Sequence, residues 1–573
     1  MRTRRAVLLQ QLEARKRAYG PGCAREVERL LTAWRGAQFD DTQSLIRFHD
    51  TLLFLRAFPQ STEVARLSAE LLETLEPQVK KLLDSPANAE IFDDESVSGI
   101  AGTTITNAWT YQLAAGLVAR YRKHARAKWN VDERYRQMTT VLPPLLPLLD
   151  DDSYVEADTP YLKWIEAAAG HQKGDLLWLI DSFADLPFPP LTRTSLYDSL
   201  GVEILWDLTG SPASRTLARR PVSKLFVHEE PLLQRKQVSL ECEVLSEPLP
   251  LRKLSRKQGA AIIGMVQDAV SVRYRELQGT TYGDPNQVVQ TDIGRGLQLF
   301  FWGLDPQWRL PLRAYYAAFA LKNGVPINYF EAIGLFEWME VGFNTFYTYR
   351  EGETAWIYSQ YLRLLHQIAG TTCISVYPYQ IGKDNEEAIN SGAFWFYRKL
   401  GFRPGRTELL DLAKREEARM SRDPNHRTSA RTLRQLAESH IFFEFGSREP
   451  GRWDTFSTRN IGLRVQGKMA SDYAGDAQKM RQATSSKLAQ VLNISLSSLD
   501  TRERWVFDNF AVTLSLVRDL KRWKPDDKHL LVAIIRAKAG PTETRYLRLL
   551  EQHARLRGAL LELGSARQPT GTA

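Results

Sequence analysis

The sequence predicts a multidomain α+β protein, with a central mixed sheet carrying packed helices and mainly α-helical regions before and after it. Three observations carry this expectation. The chain has 573 residues, more than one hydrophobic core ordinarily fills. Between residues 298 and 377, apolar, aromatic and β-branched runs recur at strand length, with a hairpin signal at Lys322-Asn323-Gly324. On either side, apolar residues return at spacings of three and four, the period of a helix with one buried face.

Composition narrows the class. Hydrophobic residues make up 43% of the chain, with 14 Trp, 21 Tyr and 24 Phe, which suits packed interiors and argues against general disorder. The net charge of +9 is spread over short clusters without a nucleic-acid-binding motif, so a nucleic-acid partner is not expected. Cys23, Cys242 and Cys373 are far apart and odd in number, and the nine histidines are scattered. They predict reduced thiols and no metal site. A basic start, 1–5, is followed by an apolar run that stops at Gln10, too short for a secretory signal, and no stretch reaches membrane-spanning length. The expectation is a cytoplasmic protein without a membrane partner.

In order, residues 1–245 read as mainly helical, as one or two subdomains. Leu8, Leu9 and Leu12 open one stripe, Val27, Leu30, Leu31 and Trp34 a second, and Leu67, Leu71 and Leu72 a third. Residues 85–107 read as turns, 109–128 as helix, and Asp150-Asp151-Asp152 as an exposed acidic loop. Residues 246–450 form the α/β domain. Ser255 is placed to cap a helix bearing Ile262, Ile263 and Val266. Strands are expected at 298–304, 315–321, 325–333, 340–349 and 371–377, with a helix at 353–369 and a further strand at 440–445. Residues 451–573 return to helices and end in a disordered tail from residue 565.

One stretch carries a recognisable pattern. Residues 371–404 run from a β-branched strand through a polar loop into an aromatic helix. There Asn390, Ala393, Tyr397, Gly401 and Phe402 have the spacing N-x-x-A-x-x-x-Y-x-x-x-G-F. Together with KNGVPINYFEA at 322–332, this makes residues 250–405 resemble the GCN5-related N-acetyltransferase (GNAT) fold. More closely, they resemble a bacterial group of uncharacterised GNAT-like proteins. The resemblance implies a fifth strand parting from the fourth, a turn binding the diphosphate of acetyl-CoA at a helix start, and a tyrosine on the closing helix. On it rest the implied donor-binding residues Arg350, Gly352, Thr354, Ala355, Asn385 and Asn390. It also makes Tyr397 the acid for the departing thiolate, Glu340 the base and Glu331 the alternative base.

The chemistry needs these residue types. Helix N-terminal amides hold phosphates, parted strands expose backbone groups to the amides of an extended ligand, and acyl transfer to an amine requires a base and an acid. The implied function is an acyl-CoA-dependent N-acyltransferase using acetyl-CoA or another acyl-CoA. Its acceptor is an amine, small molecule or protein, that the sequence does not identify. The sequence departs from the family pattern at two points. Tyr349 stands at the expected Gln/Arg site, with Glu351 and Glu353 where a diphosphate would lie, and thirteen residues separate Val376 from Asn390. These features define the alternative, a non-catalytic GNAT-like scaffold or interaction protein with a degenerate donor site. A third reading, transfer from an acyl carrier protein or aminoacyl-tRNA, has no motif of its own. The helical flanks are candidates for binding protein partners.

Overall fold

The computed structural model describes residues 4–129, 141–146, 161–446 and 449–565. The expected acidic loop at 150–152 and the tail beyond Ser565 lie outside the described residues. The molecule is α+β with two sheets. The smaller is antiparallel and three-stranded, formed by β1 (Thr104–Ala108), β2 (Ala125–Lys128) and β3 (Glu203–Asp207) in the order β1-β3-β2. It falls within a region read from sequence as helical. Strands of four and five residues are too short to impose a period on a helical background; the helix expected at 109–128 closes at Tyr121, and β2 follows.

The larger sheet has nine strands. They are β4 (Arg252–Lys253), β5 (Val289–Gly294), β6 (Leu297–Gly303), β7 (Ala314–Lys322), β8 (Val325–Leu335), β9 (Trp338–Thr345), β10 (Cys373–Val376), β11 (Arg403–Pro404) and β12 (Ile441–Glu444). Their order is β11-β12-β10-β9-β8-β7-β6-β5-β4. All neighbours are antiparallel except β9 and β10, which pair in parallel from Trp338↔Cys373 to Val341↔Val376. Helix Thr354–Ala369 connects this pair, as a parallel crossover requires, and ends on left-handed Gly370.

Local sequence explains the frame. Asn323 and Gly324 have φ of 50° and 79°, the double left-handed turn that closes a tight hairpin between β7 and β8. Ser255 and Gln258 form a capping box at the start of helix Arg256–Ser271. The aromatic helix differs from expectation. Gly392 (φ 66°) divides it into Glu386–Ser391 and Ala393–Arg398, so Asn390 and Tyr397 do not share one continuous helical face. Gly401 is left-handed, as its place after the helix demands.

One apolar core runs from Leu9 and Leu12 through both faces of the large sheet to Leu560 and Leu561, and a second gathers Ile105, Trp206 and their neighbours around the small sheet. Polar anchors fix the C-terminal helices to the large sheet. Arg557 Nε donates to both Glu337 oxygens at 2.9 and 3.0 Å, and Arg309 donates to the carbonyls of Lys538, Gly540 and Pro541. Among the described residues no helix is long and apolar enough to cross a membrane.

Candidate functional site

β10 turns away after Val376, but β9 continues through residues 342–345. The Phe346 N–H donates to the Ile327 carbonyl at 3.0 Å, and the β8–β9 register is unbroken. By the alternation of an antiparallel ladder, Gly342 and Asn344 therefore turn their peptide groups to β8, and Phe343 and Thr345 turn theirs to the side that β10 has left. The β9–β10 ladder ends at Val341↔Val376, so β10 pairs with neither Phe343 nor Thr345; the Thr345 carbonyl accepts from Arg350 Nε at 3.2 Å. Two buried hydroxyls nearby, Thr345 Oγ1 and Tyr358 Oη, also lack partners. The Tyr358 ring lies 5.0 Å from that of Phe343 and 5.7 Å from that of Tyr397. Buried polar groups are normally satisfied; these two hydroxyls lie on β9 and on the crossover helix, and other such atoms, Tyr197 Oη and Trp206 Nε1 among them, occur elsewhere in the described residues.

A cavity of about 450 Å³ opens at the same end of the sheet. Tyr329 and Asn344, cross-strand partners on β8 and β9, form its floor; Arg275, Arg350, Asn385 and Glu387 are among its walls. Asn385 accepts from the Ala388 N–H at 3.1 Å and donates to the Tyr379 carbonyl at 3.0 Å, fixing the inserted segment over the sheet. Arg350 is bonded to Glu387 and stacks 4.0 Å above the Tyr347 ring. Arg275 reaches Glu387 at 3.5 Å and the Tyr329 hydroxyl at 3.1 Å. Burial opposes the Glu387 charge, but Arg350 and Arg275 hold its carboxyl below the usual carboxylate range.

The other expected donor residues are placed differently. The Gly352 N–H is already bonded to the Tyr349 carbonyl at 2.9 Å, and a Cβ on Gly352 would come within 2.6 Å of the Phe58 ring. The Thr354 hydroxyl donates to the Arg350 carbonyl at 3.1 Å, and Ala355 is buried. Glu353, fully buried, accepts from Lys322 Nζ at 2.9 Å, from Arg295 and from the Leu233 N–H. Burial works against its charge, yet Lys322, Arg295 and His228 keep its pKa lowered. The Glu353 carboxylate is thus turned to Lys322 and Arg295 and does not cap the helix. Asn390 is exposed and does not line the cavity.

Of the expected catalytic residues, Tyr397 lies in an aromatic cluster with Tyr358, Phe396 and Phe402, and burial pushes its pKa up, so the phenol stays protonated. Glu331 and Glu340 sit on the same sheet face as Tyr329 and Asn344, but neither lines the cavity. Glu331 accepts from the Tyr315 hydroxyl at 2.7 Å and the Gly279 N–H at 2.9 Å; burial raises its pKa despite these bonds. Glu340 faces His440 Nε2 at 2.8 Å, with Arg313 at 3.8 Å.

Sequence reading missed Arg275, Tyr358, Glu387 and His440. Tyr358 and Glu387 sit in segments whose importance was legible, the crossover helix and the insert. Arg275 and His440 had no signal, because their partners Glu387 and Glu340 are more than ninety residues away in the chain. Compared with family models, with curated proteins and with solved structures, the chain finds no match in any of the three.

Proposed function

We propose that the protein is a GNAT-like acyl-CoA-dependent N-acyltransferase that binds its donor along the free edge of β9. The carrying observation is that β10 leaves the edge of β9 after Val341, so that Phe343 has no strand beside it there, next to the orphan hydroxyls of Thr345 and Tyr358. An extended chain with its own amides, such as the pantetheine arm of acetyl-CoA, would complete that edge as an added strand. Strand order supports the same reading: antiparallel strands, a helical crossover to one parallel strand, then a return in which β12 lies between β10 and β11. In this reading Tyr397 holds the proton for the departing sulfur. Glu340 is the base for the amine, and His440, partly exposed, gives its proton a route outward.

The non-catalytic scaffold is favoured by a specific observation of its own. Glu353 is buried at the helix start against Lys322 and Arg295, and Phe58 packs against Gly352, so a diphosphate there would meet a carboxylate nearby. Thermal unfolding with and without acetyl-CoA separates the two. A donor at a hundred times its Kd adds about 2.7 kcal/mol. No shift at millimolar acetyl-CoA or CoA rejects the transferase and leaves the scaffold. If the donor binds, Tyr397→Phe is expected to reduce turnover and leave binding nearly unchanged.

A further inference from the structure

Arg275 follows the helix Arg256–Ser271, and Arg350 follows β9, yet both guanidinium groups meet at Glu387 in the wall of the cavity. Two planar forks converging on one carboxylate make a geometry suited to carboxylate or phosphate oxygens. Other local compensation is weak. Glu95 reaches Arg275 only at 3.9 Å and is largely exposed, and Arg275 otherwise bonds the neutral Tyr329 hydroxyl. Glu276, also on the cavity wall, is engaged by the Thr110 N–H and by the hydroxyls of Thr110 and Thr281. The three members of the cluster are each a quarter to a third exposed, so solvent and solutes reach them.

We infer that Arg275 and Arg350 form a receptor for the anionic group of a small carboxylate- or phosphate-bearing molecule, and that Glu387 occupies this receptor as an internal stand-in when the cavity is free. The exchange is a side-chain movement. Ile381 and Ile389 anchor the inserted segment in the core, so Glu387 can turn aside while the backbone stays. The cavity volume of about 450 Å³ suits a compact molecule. The group is distinct from a donor diphosphate at the crossover-helix start, because Arg350 is directed away from that start to the Thr345 carbonyl and Glu387. The inference does not require the transfer reaction.

Calorimetric titration of the full chain with inorganic phosphate and, separately, with succinate tests it. Glu387→Gln removes the competing charge and keeps the side-chain shape. It is expected to bind one or both probes about tenfold more tightly than the unaltered protein, the step that 1.4 kcal/mol corresponds to. Adding Arg275→Gln to that variant should abolish the gain. A gain for phosphate alone assigns a phosphate-bearing ligand, and a gain for succinate alone a carboxylate-bearing one. Equal affinities of the unaltered and Glu387→Gln proteins for both probes overturn the inference, as does a gain that survives Arg275→Gln. If Glu387→Gln does not fold, Glu387→Asp, which retracts the carboxylate, is read by the same comparison. Neither probe is a thioester, so failure of acetyl-CoA to bind leaves this result standing, and the reverse holds too.

Discussion

The turn at 349–355 and the edge of β9 at 343–345 are neighbours in the chain and opposites in their electrostatics. In the turn, the charged side chains are matched inside the protein, Glu353 with Lys322 and Arg295 and Glu351 with Lys16 at 2.6 Å, and the Gly352 amide bonds Tyr349. Beside the edge, the hydroxyls of Thr345 and Tyr358 are buried without partners, and β10 no longer pairs with Phe343. The first region has been built to be stable without a guest. The second holds two buried hydroxyls whose desolvation no internal partner offsets. Resemblance placed the donor's anchor in the turn, whereas the orphan hydroxyls lie on β9 and within the crossover helix.

The largest effect is expected from breaking the closed region. Glu353→Ala leaves the buried Lys322 ammonium unpaired, which should cost about 3–5 kcal/mol in denaturant unfolding. A change under 1 kcal/mol would mean that the turn is not held by this pair. The pH dependence follows from the sign of the shift. Because the folded pKa of Glu353 lies below its unfolded value, its contribution is full above the ordinary carboxylate pKa and is lost as pH falls through the lower, folded value. Acid unfolding of Glu353→Gln should lack that component.

A smaller loss is expected at Gly352. Its Cβ would meet the Phe58 ring, so Gly352→Ala should cost about 1–3 kcal/mol by overpacking. Pairing it with Phe58→Leu should recover part of that loss, and strictly additive losses would show that the two do not touch.

The smallest stability effects belong to the open edge, and they sharpen the contrast. Thr345→Val and Tyr358→Phe each delete a buried hydroxyl that has no partner, so the free protein should be unchanged or stabilised by up to about 1 kcal/mol. Both should nevertheless diminish the stabilisation by acetyl-CoA. Destabilisation of the free protein beyond 1 kcal/mol would reveal an internal partner and remove the case for a guest. Equal acetyl-CoA shifts in the variants and the unaltered protein would place the donor elsewhere.

Much of the sheet was legible in the sequence because its signals are local. The Asn323-Gly324 turn, the alternating strands on either side and the Ser255 cap each depend on residues within a few positions of one another. The strands β4, β5 and β11 were not legible. β4 and β11 are two residues long, and their extended state is decided by the neighbours Gln290 and Phe442 that they pair with. The break at Gly392 was misread for a related reason: a glycine in an aromatic helical pattern can sit inside the helix or end it.

The sequence by itself determined an α+β chain with a hairpin-rich sheet, a helical crossover and a closing turn at Gly401. Those follow from periodicity, capping and φ preferences, which act over one or two turns of chain. Only the tertiary structure decided that Glu353 lies between Lys322 and Arg295, that Glu387 is gripped by two arginines, and that β9 outruns β10 by a few residues. Each of these depends on which distant segments meet in low dielectric. There a charge is kept only where a partner arrives, and a peptide group is left open only where none does.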